Sequence, residues 1–217
     1  MKKSRSPDPK QRISESTVRR LSHYLRLLHE AQANGESTMS SEALAARTGT
    51  TAAQVRKDLS VFGSFGKRGL GYSVAELVQE LEEILGLHRR WKVALVGAGK
   101  IGSALFSYRN FQRRGFEIRA VFDSDPRKIG TRWGDQVVLA DDEMERVLAA
   151  EGIEMVIIAV PAEAAQRVVD RVVACGIRAI LNFAPTRLRV PPGVALRNVD
   201  MVVEMEGLAF ALSNQPV

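Results

Sequence analysis

Gly97, Gly99 and Gly102 stand in the hexapeptide GAGKIG, a spacing whose chemistry belongs to the backbone rather than to side chains. Glycines at these steps let a chain reverse sharply, let its N–H groups approach a phosphate, and let a following helix pack closely on the preceding strand. The run KVALV before the turn reads as a buried strand and the residues after it as a helix start. Gly97, Ala98, Gly99, Lys100, Ile101 and Gly102 therefore form a candidate pyrophosphate cradle. Asp123 closes the next apolar run, FEIRAVFD, where a carboxylate accepts hydrogen bonds from an adenosine ribose and repels a 2′-phosphate. The expected ligand is a dinucleotide, NAD in preference to NADP, although the nearby cations Arg127 and Lys128 weaken that choice.

The elements that must position this turn are legible downstream. VVLA, MVIIAV, RAILNF and VALRNV read as strands, with helices expected from Asp142 to Ala150 and from Pro161 to Cys175. Apolar strands interleaved with amphipathic helices predict a doubly wound, Rossmann-type parallel sheet covered on both faces. Val160 and Pro161, with Asn182 and Phe183, fall just past strand ends, the edge on which such sheets bind ligands. The closing EMEGLAFALSN reads as a short amphipathic helix that needs a partner surface.

A different chemistry occupies the front of the chain. Val18, Leu21, Leu25 and Leu28 mark one face of a helix from Ser16 to Asn34-Gly35. STMSSEALAARTG supplies a second, short helix with Leu44 and Ala45 inward and Gly49 in the turn, and Thr51 with Gln54 opens a third as a capping box. This is a helix-turn-helix pattern. With Val55, Leu59 and Phe62 buried, Gln54, Arg56, Lys57 and Ser60 are left on the outer face, types that read base edges in a major groove. Asp58 is expected to orient a neighbouring base or to cap locally. GSFGKRGLGY follows, a glycine-rich hairpin with Lys67 and Arg68 at its tip, and completes a winged helix with Arg68 assigned to the minor groove. The alternatives are a solvated helix face and a surface turn.

Charge agrees with that division. Up to Arg68 there are 13 Lys and Arg against 6 Asp and Glu, and afterwards 18 against 19, so the positive balance belongs to the front third. A basic segment attracts phosphate polyanions or an anionic membrane surface. The opening MKKSRSPDPK lacks the apolar core of a signal peptide and no apolar run approaches a membrane span, so a cytoplasmic protein without membrane attachment is expected. Cys175, alone in VVACG, is assigned to core packing, and no metal site is expected.

A dehydrogenase needs a proton donor or acceptor beside the nicotinamide. His23, His29 and His88 all precede the glycine turn, and the lysines after Trp91 are only Lys92, Lys100 and Lys128. The expectation is a switch rather than an enzyme. An NAD-dependent oxidoreductase with an attached basic module remains the second hypothesis, and a coenzyme A-binding module the third.

The strings QVRKDLSVFGSFGKRGLGY, ILGLHRRW, VALVGAGKIGSAL, NFAP and NVD together resemble the Rex family of redox-sensing transcriptional repressors. The resemblance covers nearly the whole chain after the basic arm. It implies a homodimer bound to a double-stranded palindromic operator, displaced by NADH, with NAD+ competing for the same pocket. It also implies that Arg56 and Lys57 belong to the recognition helix, Arg68 to the wing, and Arg26, Tyr108 and Asp200 to a set coupling the two modules. Met201 stands where family members often carry an aromatic near the partner's nicotinamide, and the segment with Leu208 and Phe210 matches a helix swapped between subunits. The domain organisation so predicted is a disordered basic arm over 1–15, a winged-helix DNA-binding domain over 16–88, a Rossmann NAD(H)-binding domain over 89–203, and a C-terminal helix and tail for dimerisation over 204–217.

Overall fold

The computed structural model describes residues 13–66 and 70–214, and the chain divides into two compact units after Arg89. The wing cations Lys67 and Arg68 lie outside the described residues, as do residues 1–12 of the basic arm. Ser14 caps the first helix, its Oγ accepting the Thr17 N–H at 3.1 Å, so Ser14 and Glu15 belong to that helix.

That helix, α1 (Glu15–Ala33), buries Leu21, Tyr24, Leu25, Leu28 and Ala31. Val18, expected on the same face, is 43% exposed, because its turn projects past the core. After strand β1 (Thr38–Met39) come α2 (Ser41–Thr48) and α3 (Ala52–Ser60), capped by Ser40 and Thr51 and joined through left-handed Gly49. β2 (Tyr72–Ser73) pairs antiparallel with β1 and leads into α4 (Val74–Ile84). Leu21, Leu25, Leu28, Leu44, Val55, Leu59, Leu77 and Leu81 close one core among these helices. Gly66 and Gly71 both have φ near +80°; a Cβ on Gly66 would lie 2.7 Å from the Gly71 carbonyl oxygen and 2.8 Å from the Tyr72 ring. Only glycine fits that approach.

The second unit is a seven-stranded sheet. β3 (Trp91–Val96), α5 (Lys100–Phe106), α6 (Arg109–Arg113) and β4 (Phe116–Asp123) begin it. β5 (Arg132–Trp133), β6 (Gln136–Ala140), α7 (Met144–Glu151) and β7 (Met155–Ile158) follow, then α8 (Ala162–Ala174), β8 (Ala179–Asn182), β9 (Ala195–Asn198) and α9 (Met201–Ser213). The strand order is β5-β6-β4-β3-β7-β8-β9, parallel except for β5, which the sequence reading did not find. Two residues at an antiparallel edge are too few to leave a period.

Alternation along the central strand fills both layers. Val93 and Leu95 pack on one face with Val121, Val138 and Ile157, against which Leu105, Phe106 and Phe111 lie, while Ala94 and Val96 pack on the other with Phe122, Ile158, Val169 and Val172. The expected helix ends at Asp142 and Cys175 shift slightly: a 3-10 turn covers Asp141–Glu143 ahead of α7, and Cys175 is the C-cap of α8. Cys175 is exposed rather than in the core, since the helix has already ended there.

α9 departs most from expectation. It begins at Met201, not after Val203, because Asp200 caps it by accepting the Val202 and Val203 N–H groups. It is also not amphipathic: Met201, Val202, Val203, Met205, Leu208, Phe210 and Leu212 are all exposed and surround the axis. Among the described residues no helix is long and apolar enough to cross a membrane, and no cluster of His, Cys, Asp and Glu could hold a metal ion.

Candidate functional site

The strand order reverses at β3, whose neighbours are β4, reached next in the chain, and β7, reached later. A crevice opens at such a switch point beyond the carboxyl ends of the strands, and the GAGKIG turn sits there. Gly97 has φ +107°, and a Cβ on it would lie 2.3 Å from the Ala159 carbonyl oxygen, so the turn is pressed onto the β7 end that leads to Val160 and Pro161. A Cβ on Gly102 would lie 1.9 Å from the Gly97 carbonyl oxygen, which fixes how closely α5 follows β3. A Cβ on Gly99 would meet nothing within 4 Å, so its backbone borders open space, as approach by a phosphate requires. The α5 first turn also has no side-chain cap. A shallow pocket of about 630 Å³ opens here, lined by Ala98, Gly99, Lys100, Ser103, Ser107 and Lys128. Ile101 is exposed on the first turn of α5.

Asp123 ends β4 beside this turn. Its Oδ2 accepts the Ala98 N–H at 2.7 Å and the Lys128 Nζ at 2.9 Å, and its Oδ1 accepts the Asp125 N–H at 2.8 Å. Burial acts to raise its pKa, but the Asp125 N–H, Lys128 and the Ala98 N–H outweigh it and hold the carboxyl below its ordinary range. The group is ionised and stapled to the turn. Lys128 is 38% exposed and free to swing to solvent, whereas Arg127 is occupied with Asp125 through two nitrogens. In the sequence Lys128 is only a nearby cation; its pairing with Asp123 arises in the fold. These residues fit a dinucleotide: an open backbone turn without side chains, and an ionised carboxylate at the end of the next strand.

The remaining predicted cofactor residues are placed differently. Val160 is half-buried and Pro161 exposed at the mouth of β7. Asn182 is 1% exposed, and its Nδ2 donates to the Ala184 and Thr186 carbonyls and to Asn198 Oδ1. Its amide thus shapes the loop after β8, and Phe183 packs against the sheet. Met201 is the exposed first residue of α9.

On the first unit, Lys57 and Ser60 stand exposed on α3. Arg56 is exposed as well, its Nη1 donating to Ser41 Oγ at 2.8 Å and Glu42 Oε1 at 3.0 Å on α2. Gln54 departs from the expected outward set: its Nε2 donates to Asp58 Oδ1 at 2.8 Å. Asp58 itself neither faces a base nor caps α3. It is 2% exposed, and Arg20 of α1 donates to both its oxygens, Nε to Oδ2 at 2.6 Å and Nη2 to Oδ1 at 2.7 Å. The Tyr24 hydroxyl donates to Oδ2 at 3.0 Å. Burial alone would raise the Asp58 pKa; the bonds from Arg20, Gln54 and Tyr24 reverse that and lower it. Sequence reasoning missed this constellation, since Arg20 and Tyr24 lie 38 and 34 positions away and no local motif links them.

Of the expected coupling set, Arg26 is exposed on α1. Tyr108 is the exposed N-cap of α6, its ring edge-on to Phe111 at 5.3 Å and its hydroxyl accepting from Asn110. Asp200 caps α9.

Comparison with known proteins supplies the family. A model described as a CoA binding domain matches residues 88–186, and one described as a putative DNA-binding protein N-terminus matches residues 12–60. The chain is 47% identical over 208 residues to a redox-sensing transcriptional repressor Rex of Rhodopirellula baltica, covering 96% of this chain and 88% of that one. It is 49% identical over 199 residues to that of Carboxydothermus hydrogenoformans, covering 92% and 96%. Among solved structures, RSP in complex with β-NADH superposes with a TM-score of 0.86 at 36% identity, covering 94% of this chain and 95% of that one. RSP with β-NAD+ and operator DNA superposes with a TM-score of 0.89 at 37% identity, covering 94% of each. With both units matched at once and in this order, the chain belongs to the Rex family of redox-sensing transcriptional repressors.

Proposed function

We propose that this chain is a repressor that holds a palindromic operator when NADH is scarce and leaves it when NADH occupies the GAGKIG cradle. The observation that carries the reading is the presence, on one chain, of a glycine turn backed by ionised Asp123 and of a helix-turn-helix bearing Lys57 and Arg56. Relatives with both units are named repressors, and RSP is described with NADH and with NAD+ and operator DNA. It is a regulator, not an enzyme; the nicotinamide is read rather than consumed.

In this reading Lys57, Ser60 and Arg56 approach the major groove, Arg56 exchanging Glu42 for a phosphate or base, and Lys67 and Arg68 extend the contact from the wing. Gly97 to Gly102 hold the pyrophosphate, Asp123 holds the adenosine ribose and disfavours a 2′-phosphate, and Val160, Pro161 and Phe183 border the nicotinamide end with Asn182 shaping the loop. α9, apolar on every side, is the dimerisation element, since a helix of that kind requires burial on all faces. The swapped arrangement places it against a second copy and brings Met201 to the partner's site. Arg26, Tyr108 and Asp200 pass the nucleotide state to the DNA-binding unit by exchange of charged hydrogen bonds.

The test is an anisotropy titration of a palindromic duplex at stated salt, with NADH added at fixed NAD+. NADH, more than NADPH, is expected to release the DNA. Equal affinity with and without saturating NADH overturns the reading, and substrate-dependent turnover of bound nicotinamide would favour an oxidoreductase instead.

A further inference from the structure

We propose that Asp58, clamped by Arg20 and Tyr24 of α1, is a positioning residue that sets the rotation of α3 about its own axis and so aims Lys57 and Ser60 at DNA. The proposal rests on the reading of α3 as the DNA-contacting helix, and adds to it a device on the helix's hidden side.

α3 is nine residues long and is held from below by Val55 and Leu59. Apolar contacts of this kind are non-directional and leave a short helix free to roll or slide by a fraction of a turn. A displacement of that size moves an outward side chain by more than the tolerance of a hydrogen bond to a base edge. The bidentate fork from Arg20 has no such freedom, because two parallel N–H···O bonds fix distance and plane together. The fork is itself aimed: Arg20 Nη2 also donates to Thr17 Oγ1 at 3.1 Å, one turn earlier on α1. Gln54, one turn before Asp58 on the same side of α3, donates to Oδ1, so the clamp grips two turns rather than one. Four donors from three side chains on α1 and α3 thus converge on one carboxylate immediately behind Lys57.

The contrast with Arg56 supports a positioning role. Arg56 and Glu42 pair at the surface, both more than half exposed, and can part when a phosphate competes. Asp58 is 2% exposed and has no access to a ligand, and an ion pair whose carboxylate is taken out of water is a weak source of net stability but can supply a unique arrangement. What it is placed to supply is register.

The experiment uses the full chain, an operator duplex selected with that chain from a randomised palindromic pool, and a random duplex of equal length. Asp58→Asn, Arg20→Lys and the apolar pair Arg20→Met with Asp58→Leu are compared, with Lys57→Ala as the control for the underlying reading. Each clamp variant is expected to lower the ratio of operator to random affinity about tenfold, the worth of one misread base pair, with affinity for the random duplex and its salt dependence unchanged. The apolar pair, made together with Tyr24→Phe so that no buried hydroxyl loses its acceptor, is expected to melt at the wild-type temperature or above and still discriminate poorly, which loss of folded protein would not produce. Arg20→Lys keeps the charge and loses the fork, so it decides the matter even where the other variants fold poorly. Wild-type discrimination by Arg20→Lys or by the apolar pair, alongside weakened binding by Lys57→Ala, overturns the positioning role and leaves the DNA reading standing. Unchanged binding of both duplexes by Lys57→Ala overturns the DNA reading, and the positioning role with it.

Discussion

Each unit of the molecule hides one aspartate beside its working surface, and the two are built to opposite ends. Asp58 is gripped by side chains from a separate helix, with Arg20 bidentate and Tyr24 wholly buried. Asp123 is gripped chiefly by its own neighbourhood, two backbone N–H groups of adjoining turns, plus one lysine that reaches solvent. Both carboxyls are held below their ordinary pKa against burial. A carboxylate held by a two-nitrogen fork and a buried hydroxyl fixes structure, whereas one whose third partner is a single lysine amine can exchange that cation for a ligand hydroxyl. The difference lies in the partners, not in the charge.

Truncation should separate them most sharply. Asp58→Ala leaves the Arg20 guanidinium, 29% exposed, and the buried Tyr24 hydroxyl without their acceptor, and is expected to destabilise the first unit by about 3 kcal/mol. Asp123→Ala leaves two N–H groups that the adjacent crevice can hydrate and a lysine that can turn outward, so about 1 kcal/mol is expected there. The two units can be told apart, because Trp91 and Trp133 both belong to the second. Tryptophan fluorescence follows that unit alone in a denaturant titration, while far-UV circular dichroism follows both. Equal losses from the two truncations would break the contrast.

How much of this could be read in advance follows the same division. The glycine turn was legible because its chemistry is local: Gly97, Gly99 and Gly102 act through backbone within six residues, and Asp123 announces itself by closing a strand. The Asp58 clamp was not, since Arg20 and Asp58 meet only once α1 and α3 fold together, and each alone looks like an ordinary surface charge. Gln54 follows the same rule; periodicity places it at the edge of the buried face, and only Asp58 decides which way it turns. The start of α9 is hidden because a lone aspartate reads equally as a surface charge, and the N-cap role of Asp200 becomes visible only in the backbone it terminates. Val18 and Cys175 show the limit of apolar patterning at helix ends, where the pattern persists but the core has stopped.

Ligand binding sharpens the comparison next. Asp123→Asn removes the charge that disfavours a 2′-phosphate and weakens the bonds offered to a ribose, and is expected to raise the NADH dissociation constant about tenfold while narrowing the preference over NADPH. Asp58→Asn is expected to leave both constants unchanged, as measured by nucleotide fluorescence titration. A change in nucleotide preference on Asp58→Asn would place that residue in the second unit's chemistry and contradict its enclosure.

Acid acts on both sites through the same sign. A carboxyl with a depressed folded-state pKa adds stability that is complete above its unfolded value, about 3.9, and is lost as pH falls through the folded value. Both units are therefore expected to lose stability as pH falls below about 4, with Asp58→Ala flattening the loss in circular dichroism alone and Asp123→Ala flattening it in circular dichroism and tryptophan fluorescence together. A changed fluorescence profile on Asp58→Ala, or an unchanged one on Asp123→Ala, would mean that the carboxyls are not the groups titrating.

Tyr24 offers the smallest and cleanest distinction, because the second unit has no counterpart to a phenol bound to its buried aspartate. Its hydroxyl is pushed up to about 12, first by burial and then by the bond to Asp58, whose negative charge opposes a phenolate alongside it. A raised folded-state value means that the stability it lends is complete below the unfolded value near 10 and disappears as pH rises through about 12. Tyr24→Phe removes one of four donors while Arg20 and Gln54 still satisfy Asp58, so a loss of about 1 kcal/mol at neutral pH is expected in chemical denaturation. The same substitution should abolish the steepest part of the alkaline loss in the first unit between pH 10 and pH 12, read by circular dichroism. If Tyr24→Phe cost as much as Asp58→Ala, the phenol rather than the arginine fork would be the principal hold on the carboxylate, and the two-oxygen grip of Arg20 would no longer account for its fixed position.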